Sequence, residues 1–366
     1  MITGDLDAAL AGLISHDGEP GKELSPGTLS HGTGTGAARA IAITSAGTWR
    51  PAPPGIESGA GTYATTIAFG LARHWAAEPA AIAVALARAL RRLDWVETAS
   101  ETGNGYLTIT VTAGALTALA VRITQAGPGC ARSTALAGIT MTAPRHCDLA
   151  SAPTWQEARR RLTAVITGRL AETAGATILF SDDAKRMAQA NSPAPAGPTP
   201  VADGIGFAGA DAITYTLARL PPAGRVDTAA AAEHHLGNPA YAVRYAHAHA
   251  ASTQSQAADL GLGLGDVAEF EPRLLAHPAE MSLLYELSWL AERVAGAARR
   301  AQPDVLARYL ERVAGAYLSC QENCPVLAPG SVPGAGQHAR LWLAAAARTV
   351  LRTGLDLLGV SPPARL

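Results

Sequence analysis

Along most of this chain apolar residues return every three to four positions, and in one short stretch they return every second position. The helical period is plainest in the last third. Leu283, Leu287, Leu290 and Val294 form one stripe, Leu306, Tyr309, Leu310, Val313 and Tyr317 a second, and Leu343, Ala347, Val350 and Leu351 a third. Stripes of that width predict amphipathic helices packed as a bundle. Towards the N-terminus, Leu6–Ile14 reads as a short amphipathic helix, Thr62–Trp75 as a helix, and Glu78–Leu93 as another with Ile82, Leu86, Leu90 and Leu93 on one face. In Tyr106–Thr112 the period falls to two. Leu107, Ile109 and Val111 alternate with Tyr106, Thr108, Thr110 and Thr112, the pattern of a half-buried strand. Trp95–Ala99 is its expected hairpin partner across Glu101–Gly105. On this reading Tyr106 and Thr108 face away from the core, an aromatic ring beside a hydroxyl that suits stacking on a nucleobase.

Between these regions the pattern predicts a thin α/β layer. The apolar runs Leu119–Ile123, Leu136–Met141 and Ala176–Phe180 read as buried strands and Thr154–Ala174 as a helix, with Arg159, Arg160 and Arg161 as a solvated basic cluster. Ser192–Pro200 (SPAPAGPTP) reads as a linker. The fold class predicted is therefore α+β and predominantly helical. Its expected parts are a small α+β domain over 1–113, a short α/β region over 114–202 and an all-α bundle over 203–366.

The stretch that joins the bundle to the rest is Asn238–Ser252, NPAYAVRYAHAHAAS. An Asn-Pro start presets the first helical turn, because proline needs no amide partner there. Tyr241, Tyr245 and His249 then repeat every four residues, with Arg244 and Ala248 beside them, so one helix face carries aromatic and imidazole rings. In the second bundle helix Arg308 and Arg312 lie one turn apart on the outer face, where they can meet phosphates or pair with Glu311.

Composition narrows the chemistry. The formal net charge is −1, so no global basic field draws the chain to nucleic acid and any such partner is held locally. The four cysteines, Cys130, Cys147, Cys320 and Cys324, include one C-x3-C pair with no second pair, so no disulfide framework and no zinc site is expected. His234, His235, His247 and His249 look like ligands. However, His247 and His249 are two helical positions apart, about 200° around the axis, and cannot share an ion. The glycine-rich run His31–Gly36 lacks the lysine of a phosphate loop and reads as a surface loop. There is no run of about 18 uninterrupted apolar residues and no leader-like N-terminus, so a cytoplasmic protein with no membrane or DNA partner and no cofactor is expected.

Several motifs resemble those of arginyl-tRNA synthetases. Gly61-Thr62-Tyr63-Ala64-Thr65-Thr66-Ile67-Ala68 is similar to the family's G-D-Y-A-T-N-I-A, and Gly103-Asn104-Gly105-Tyr106-Leu107-Thr108 to its hairpin G-x-G-[FY]-[IL]-N. Gly209–Tyr215 resembles G-A-D-A-[IL]-R-Y, and Asn238-Pro239-Ala240-Tyr241 and Tyr245-Ala246-His247-Ala248 resemble N-P-x-Y and Y-A-H-A. At the end, Tyr317–Leu327 resembles F-x-x-x-Y-x-x-C-x-V-L, and Gly354–Val360 with Pro363 follows G-L-x-L-L-G-[IV]-x-x-P. The resemblance covers roughly 61–113 and 205–366. It departs at Thr108, which stands for Asn, and at Ala242, Arg244 and His249, which stand for Tyr, Gln and Arg.

The resemblance implies a tRNA-gripping N-terminal domain and a C-terminal bundle of the DALR anticodon-binding type. The residues it implies as tRNA contacts, together with the exposed groups read above, are Tyr106, Thr108, Asn238, Tyr241, Arg244, Tyr245, His249, Arg308 and Arg312. Fewer than about a hundred residues occupy the place where the family has its nucleotide-binding domain. His16, His31, His74 and His146 do not form an H-x-G-H motif, and Lys185 lies in no K-M-S-K-S-like loop. Adenylate formation needs such groups to steady charge at the α-phosphate. The expectation is a non-catalytic binder of tRNA, tRNA-Arg first, acting as an adaptor or regulator. The alternative is a protein-interaction module for a true synthetase or a tRNA-modifying enzyme, and a remote one is residual arginine-tRNA ligase activity.

Overall fold

A computed structural model describes residues 2–16, 49–51, 60–180, 199–221, 223–327 and 334–366. The His31–Gly36 run, Lys185 and most of the expected linker lie outside the described residues. Helix α1 (Ile2–His16) is followed by β1 (Trp49–Pro51), β2 (Thr62–Thr65), α2 (Ile67–Trp75), α3 (Pro79–Leu90), β3 (Val96–Thr102) and β4 (Tyr106–Val111). The strands form an antiparallel sheet in the order β1-β2-β4-β3. Helix α1 is fastened by a bidentate pair from Arg122 to Asp5 at 2.7 and 2.9 Å and by the Trp49 indole N–H donating to Asp7 at 2.7 Å. Burial pushes the Asp7 carboxyl up to about 7, against the lowering effect of that hydrogen bond.

Two sequence expectations change here. Thr62–Thr65 is a strand rather than the first turn of a helix, because Thr62, Tyr63 and Thr65 are good strand formers with a β4 ladder to join. The Thr65 hydroxyl accepts from the Ile67 amide at 3.2 Å, and helix α2 begins there. Thr108 also does not face solvent. It lies on β4, an interior strand, is 5% exposed, and shares a hydrogen bond with the Thr102 hydroxyl at 2.8 Å.

The middle region differs as well. Leu119–Ile123 belongs to a helix, α5 (Leu119–Ala126), which follows the short α4 (Ala113–Thr117) capped by the Thr112 hydroxyl at 3.2 Å. Leu119, Ala120 and Ile123 are buried at i, i+1 and i+4, a helical stripe that a short apolar run cannot distinguish from a strand. Of Leu136–Met141 only the end enters a strand, β5 (Thr140–Ala143). Helix α6 (Trp155–Thr173) crosses over to β6 (Thr177–Phe180), parallel to β5, as the α/β pattern required. Leu179 and Phe180 are exposed rather than buried. Arg159 donates to the Leu220 and Pro221 carbonyls, and Arg160 and Arg161 pair with Glu157 at 2.8 and 2.7 Å, so this cluster is satisfied by its own chain.

The remainder is helical: α7 (Pro200–Ala208), α8 (Ala210–Arg219), α9 (Thr228–Ala232), α10 (Pro239–Asp259), α11 (Pro278–Ser288), α12 (Leu290–Arg300), α13 (Pro303–Asn323) and α14 (Ala335–Leu358). The three predicted stripes are buried, with Leu283, Val294, Leu306, Tyr309, Leu310, Val313, Tyr317, Ala347, Val350 and Leu351 at 0% exposure. Helix α13 packs against α8, α10, α11, α12 and α14. Buried hydroxyls are paired: Tyr215 donates to the Ala307 carbonyl and Tyr309 to the Glu286 carbonyl, each at 2.9 Å. The sheet docks on the bundle through Tyr63, which donates to Ser288 at 2.8 Å and lies against Trp289 and Tyr285, while Tyr285 donates to the Thr62 carbonyl at 2.9 Å.

Candidate nucleic-acid interface

Helix α10 begins where its sequence says it should, and the reason is in the side chain before it. The Asn238 carboxamide accepts from the Ala240 amide at 3.1 Å and donates to the carbonyls of Ala231 and Glu233 at 3.1 and 2.7 Å. It is 7% exposed, so its amide is consumed in holding the helix start. That corrects its place among the candidate RNA contacts: Asn238 builds the surface rather than forming it.

Beyond Asn238 the four-residue repeat does what the spacing promised, and tertiary packing lengthens it at both ends. Tyr241 and Tyr245 are stacked with ring centroids 5.9 Å apart, and Tyr245 and His249 follow at 6.0 Å. His234, from the turn before the helix, stacks on Tyr241 at 5.7 Å with 16° between planes. At the other end Tyr317 of α13 meets His249 edge-on at 5.7 Å, and the His249 Nδ1 and Tyr317 hydroxyl share a hydrogen bond of 3.0 Å. Five rings thus form one column running from an exposed histidine to a fully buried tyrosine. Burial holds the His249 imidazole below its ordinary pKa, which favours the neutral ring.

Arg244 leaves this column for another task. Its guanidinium lies 3.3 Å from Asp211 at the start of α8, and the same carboxylate accepts from the Ser361 amide at 3.0 Å. His247 faces inward, 2% exposed. Its Nδ1 donates to the Pro363 carbonyl at 2.8 Å, which ties the C-terminal segment to α10.

Arg308 and Arg312 are exposed, but they do not join the rings. They lie nine and five residues before Tyr317 on α13, about 180° and roughly 140° around that helix from it. Their partners are Asp304 at 3.7 Å and Glu286 at 3.4 Å, and Arg312 also lies over the Tyr309 ring. The expected partner Glu311 binds Arg219 instead, at 2.6 Å.

A second aromatic surface sits on the β3–β4 hairpin. Tyr106 is 42% exposed, as expected, and meets Phe69 of α2 edge-on at 5.4 Å, Phe69 itself being 37% exposed. Gly105, at φ +113, makes this corner possible. A Cβ there would strike Pro79 at 2.7 Å, and the Glu101 carboxylate accepts from the Gly105 amide at 2.8 Å. Phe69, His234 and Tyr317 were not among the candidates. No spacing rule joins Phe69 to Tyr106 or a turn histidine to a helix; Tyr317 was visible as part of a core stripe and as the start of the Tyr317–Leu327 motif, neither of which points to a ring contact with His249.

Among the described residues no three His, Cys, Asp or Glu side chains are arranged to hold a metal ion. No helix of the described residues is long and apolar enough to cross a membrane. Burial pushes the Cys320 thiol up to about 12, so it stays protonated at neutral pH.

Comparison with known proteins finds two recognised domains, one holding Phe69 and Tyr106 and the other Tyr245, His249 and Tyr317, while His234 and Tyr241 precede the second match. Residues 39–111 match the arginyl tRNA synthetase N terminal domain family and residues 243–366 the DALR anticodon binding domain family. Both domain types are present, at the two ends of the chain. The chain is 38% identical over 176 residues to an arginine–tRNA ligase of Renibacterium salmoninarum and 39% over 167 residues to that of Paenarthrobacter aurescens. Each match covers 45% of this chain and 30% of the relative, so the chain spans about a third of the length of these ligases. Its fold is similar to that of Thermus thermophilus arginyl-tRNA synthetase, with a TM-score of 0.63 at 14% identity over 90% of this chain and 99% of that one.

Proposed function

We propose that this chain is a non-catalytic tRNA-binding protein, with tRNA-Arg as its first candidate ligand, acting as an adaptor or regulator for another enzyme. The observation that carries this reading is the ring column on α10, which straddles the start of the DALR-type segment, with His234 and Tyr241 before it and Tyr245, His249 and Tyr317 within it. Each base stacked on an aromatic face contributes about 1–3 kcal/mol and needs no basic surface. From Ala240 onward arginines and carboxylates are equal in number, so affinity should depend only weakly on salt. The non-catalytic part of the proposal is supported by the short segment between the two matched ends and by the missing H-x-G-H and K-M-S-K-S-like sequences.

Titration of purified tRNAs at two salt concentrations tests the binding reading. Micromolar affinity with a shallow salt slope is expected, and no binding to any tRNA would end it. Exchange of pyrophosphate into ATP with arginine and tRNA present tests the rest: turnover above background would restore ligase activity. A second reading is a protein-interaction module for a synthetase or a tRNA-modifying enzyme. It is favoured by the internal use of Thr108 and Asn238, whose polar groups are spent within the chain. A protein that co-purifies stoichiometrically without RNA would support it.

A further inference from the structure

The ring column has one open end. Tyr317 closes the inner end in the core, and Tyr241, Tyr245 and His249 each have a ring on both sides. His234 is exposed and, among the described residues, has Tyr241 as its sole ring neighbour. In the outer half of the column His234, Tyr241 and Tyr245 are near-parallel, with 16° and 20° between successive planes, so Tyr241 has a ring stacked on each face, while His249 and Tyr317 close the inner half by tilted and edge-on contacts. A flat ligand that continues the stack therefore does so on the outer face of His234.

The turn that carries His234 is also held in place. It is closed from several sides, with the Asn238 carboxamide bound to the Ala231 and Glu233 carbonyls and the Asn238 amide donating to the His235 carbonyl at 2.9 Å. The Gly237 amide donates to His235 Nδ1 at 3.0 Å, which leaves the proton on Nε2 to donate to Glu233 at 2.7 Å. The backbone under His234 is thus fixed before binding, and its ring is oriented by the stack on Tyr241, which lowers the ordering cost of covering it.

We propose that His234 is a binding residue for a single unpaired nucleobase, which stacks on its outer face and extends the α10 column by one ring. The inference deepens the tRNA-binding reading and rests on it. It assigns recognition to a π face, which every base has, so this position selects for an unstacked base and not for its identity.

The test uses the full chain and a fluorescent tRNA-Arg transcript, with anticodon-loop positions replaced one at a time by abasic ribose. His234→Ala is expected to weaken binding about tenfold, while His234→Phe stays within about threefold of the parent. One abasic position should cost the parent a similar factor and cost His234→Ala nothing further, the non-additivity that marks a direct contact. If His234→Ala binds like the parent while Tyr241→Ala weakens binding, the inference falls and the tRNA-binding reading stands. If His234→Phe loses as much as His234→Ala, stacking is not the interaction and the inference falls. If the parent binds no tRNA transcript, both fall together.

Discussion

The two aromatic surfaces are built differently. On the β3–β4 hairpin, Tyr106 and Phe69 meet as an isolated pair at the rim of the sheet, both partly exposed, with a glycine turn beneath them. On α10 the rings form a column whose last member, Tyr317, is at 0% exposure in the bundle core. One surface is attached to the core at its edge and the other grows out of it. A four-residue repeat on a packed helix can couple surface rings to core packing, whereas a strand end can only place a ring beside whatever the next element supplies.

The sharpest way to break this contrast is to cut the root of the column. Replacing Tyr317 by Ala removes a fully buried aromatic and is expected to cost about 3–5 kcal/mol of stability in denaturant unfolding. Tyr106→Ala, at a half-exposed site, should cost under about 1 kcal/mol. Equal losses would mean that the hairpin pair is as deeply rooted as the column.

Raising the pH should separate the two ends next. The buried Asp7 carboxyl is pushed up to about 7 in the folded chain, from an ordinary value of 3.8. Its proton is held more tightly folded than unfolded, so its contribution is fully present below about pH 4 and is lost as pH rises through 7. Protection of α1 amides from hydrogen exchange is expected to fall between pH 5 and pH 8 by on the order of 2 kcal/mol, with amides of α13 unaffected by this group. Asp7→Asn should flatten that dependence. An unchanged profile in the variant would remove Asp7 from the explanation.

The RNA-binding effects are smaller. Tyr241→Ala and Tyr245→Ala should each weaken tRNA binding about tenfold, the factor for one lost stacking face. Smallest of all is Arg308→Ala with Arg312→Ala. These side chains face away from the column and already have Asp304 and Glu286 as partners, so less than about a twofold loss is expected. A tenfold loss there would mean that the RNA crosses the opposite side of α13.

Much of this arrangement was legible in the residues. The three bundle stripes, the β3–β4 hairpin, α6 and the Asn-Pro start of α10 all follow from periodicity and capping chemistry, which act over one or two turns. What failed was of another kind. Leu119–Ile123 is short enough to suit either helix or strand, and contact with α14 makes it helical. Thr62–Thr65 becomes a strand because β4 offers a ladder, and Thr108 loses its exposure because β4 lies inside the sheet. Each of these depended on a partner distant in sequence.

The same division holds for the candidate site. The sequence by itself determined that Tyr241, Tyr245 and His249 share a helix face, since a spacing of four is neighbouring on any α-helix. Only the tertiary structure decided that the face would be a column. It brought His234 to one end and Tyr317 to the other, spent Asn238 on the helix start, gave Arg244 to Asp211, and turned Arg308 and Arg312 away. Local geometry fixes which side chains lie side by side on one element. Which groups remain free to meet a ligand is set by the competition among all their possible partners, and that is settled only when the elements pack.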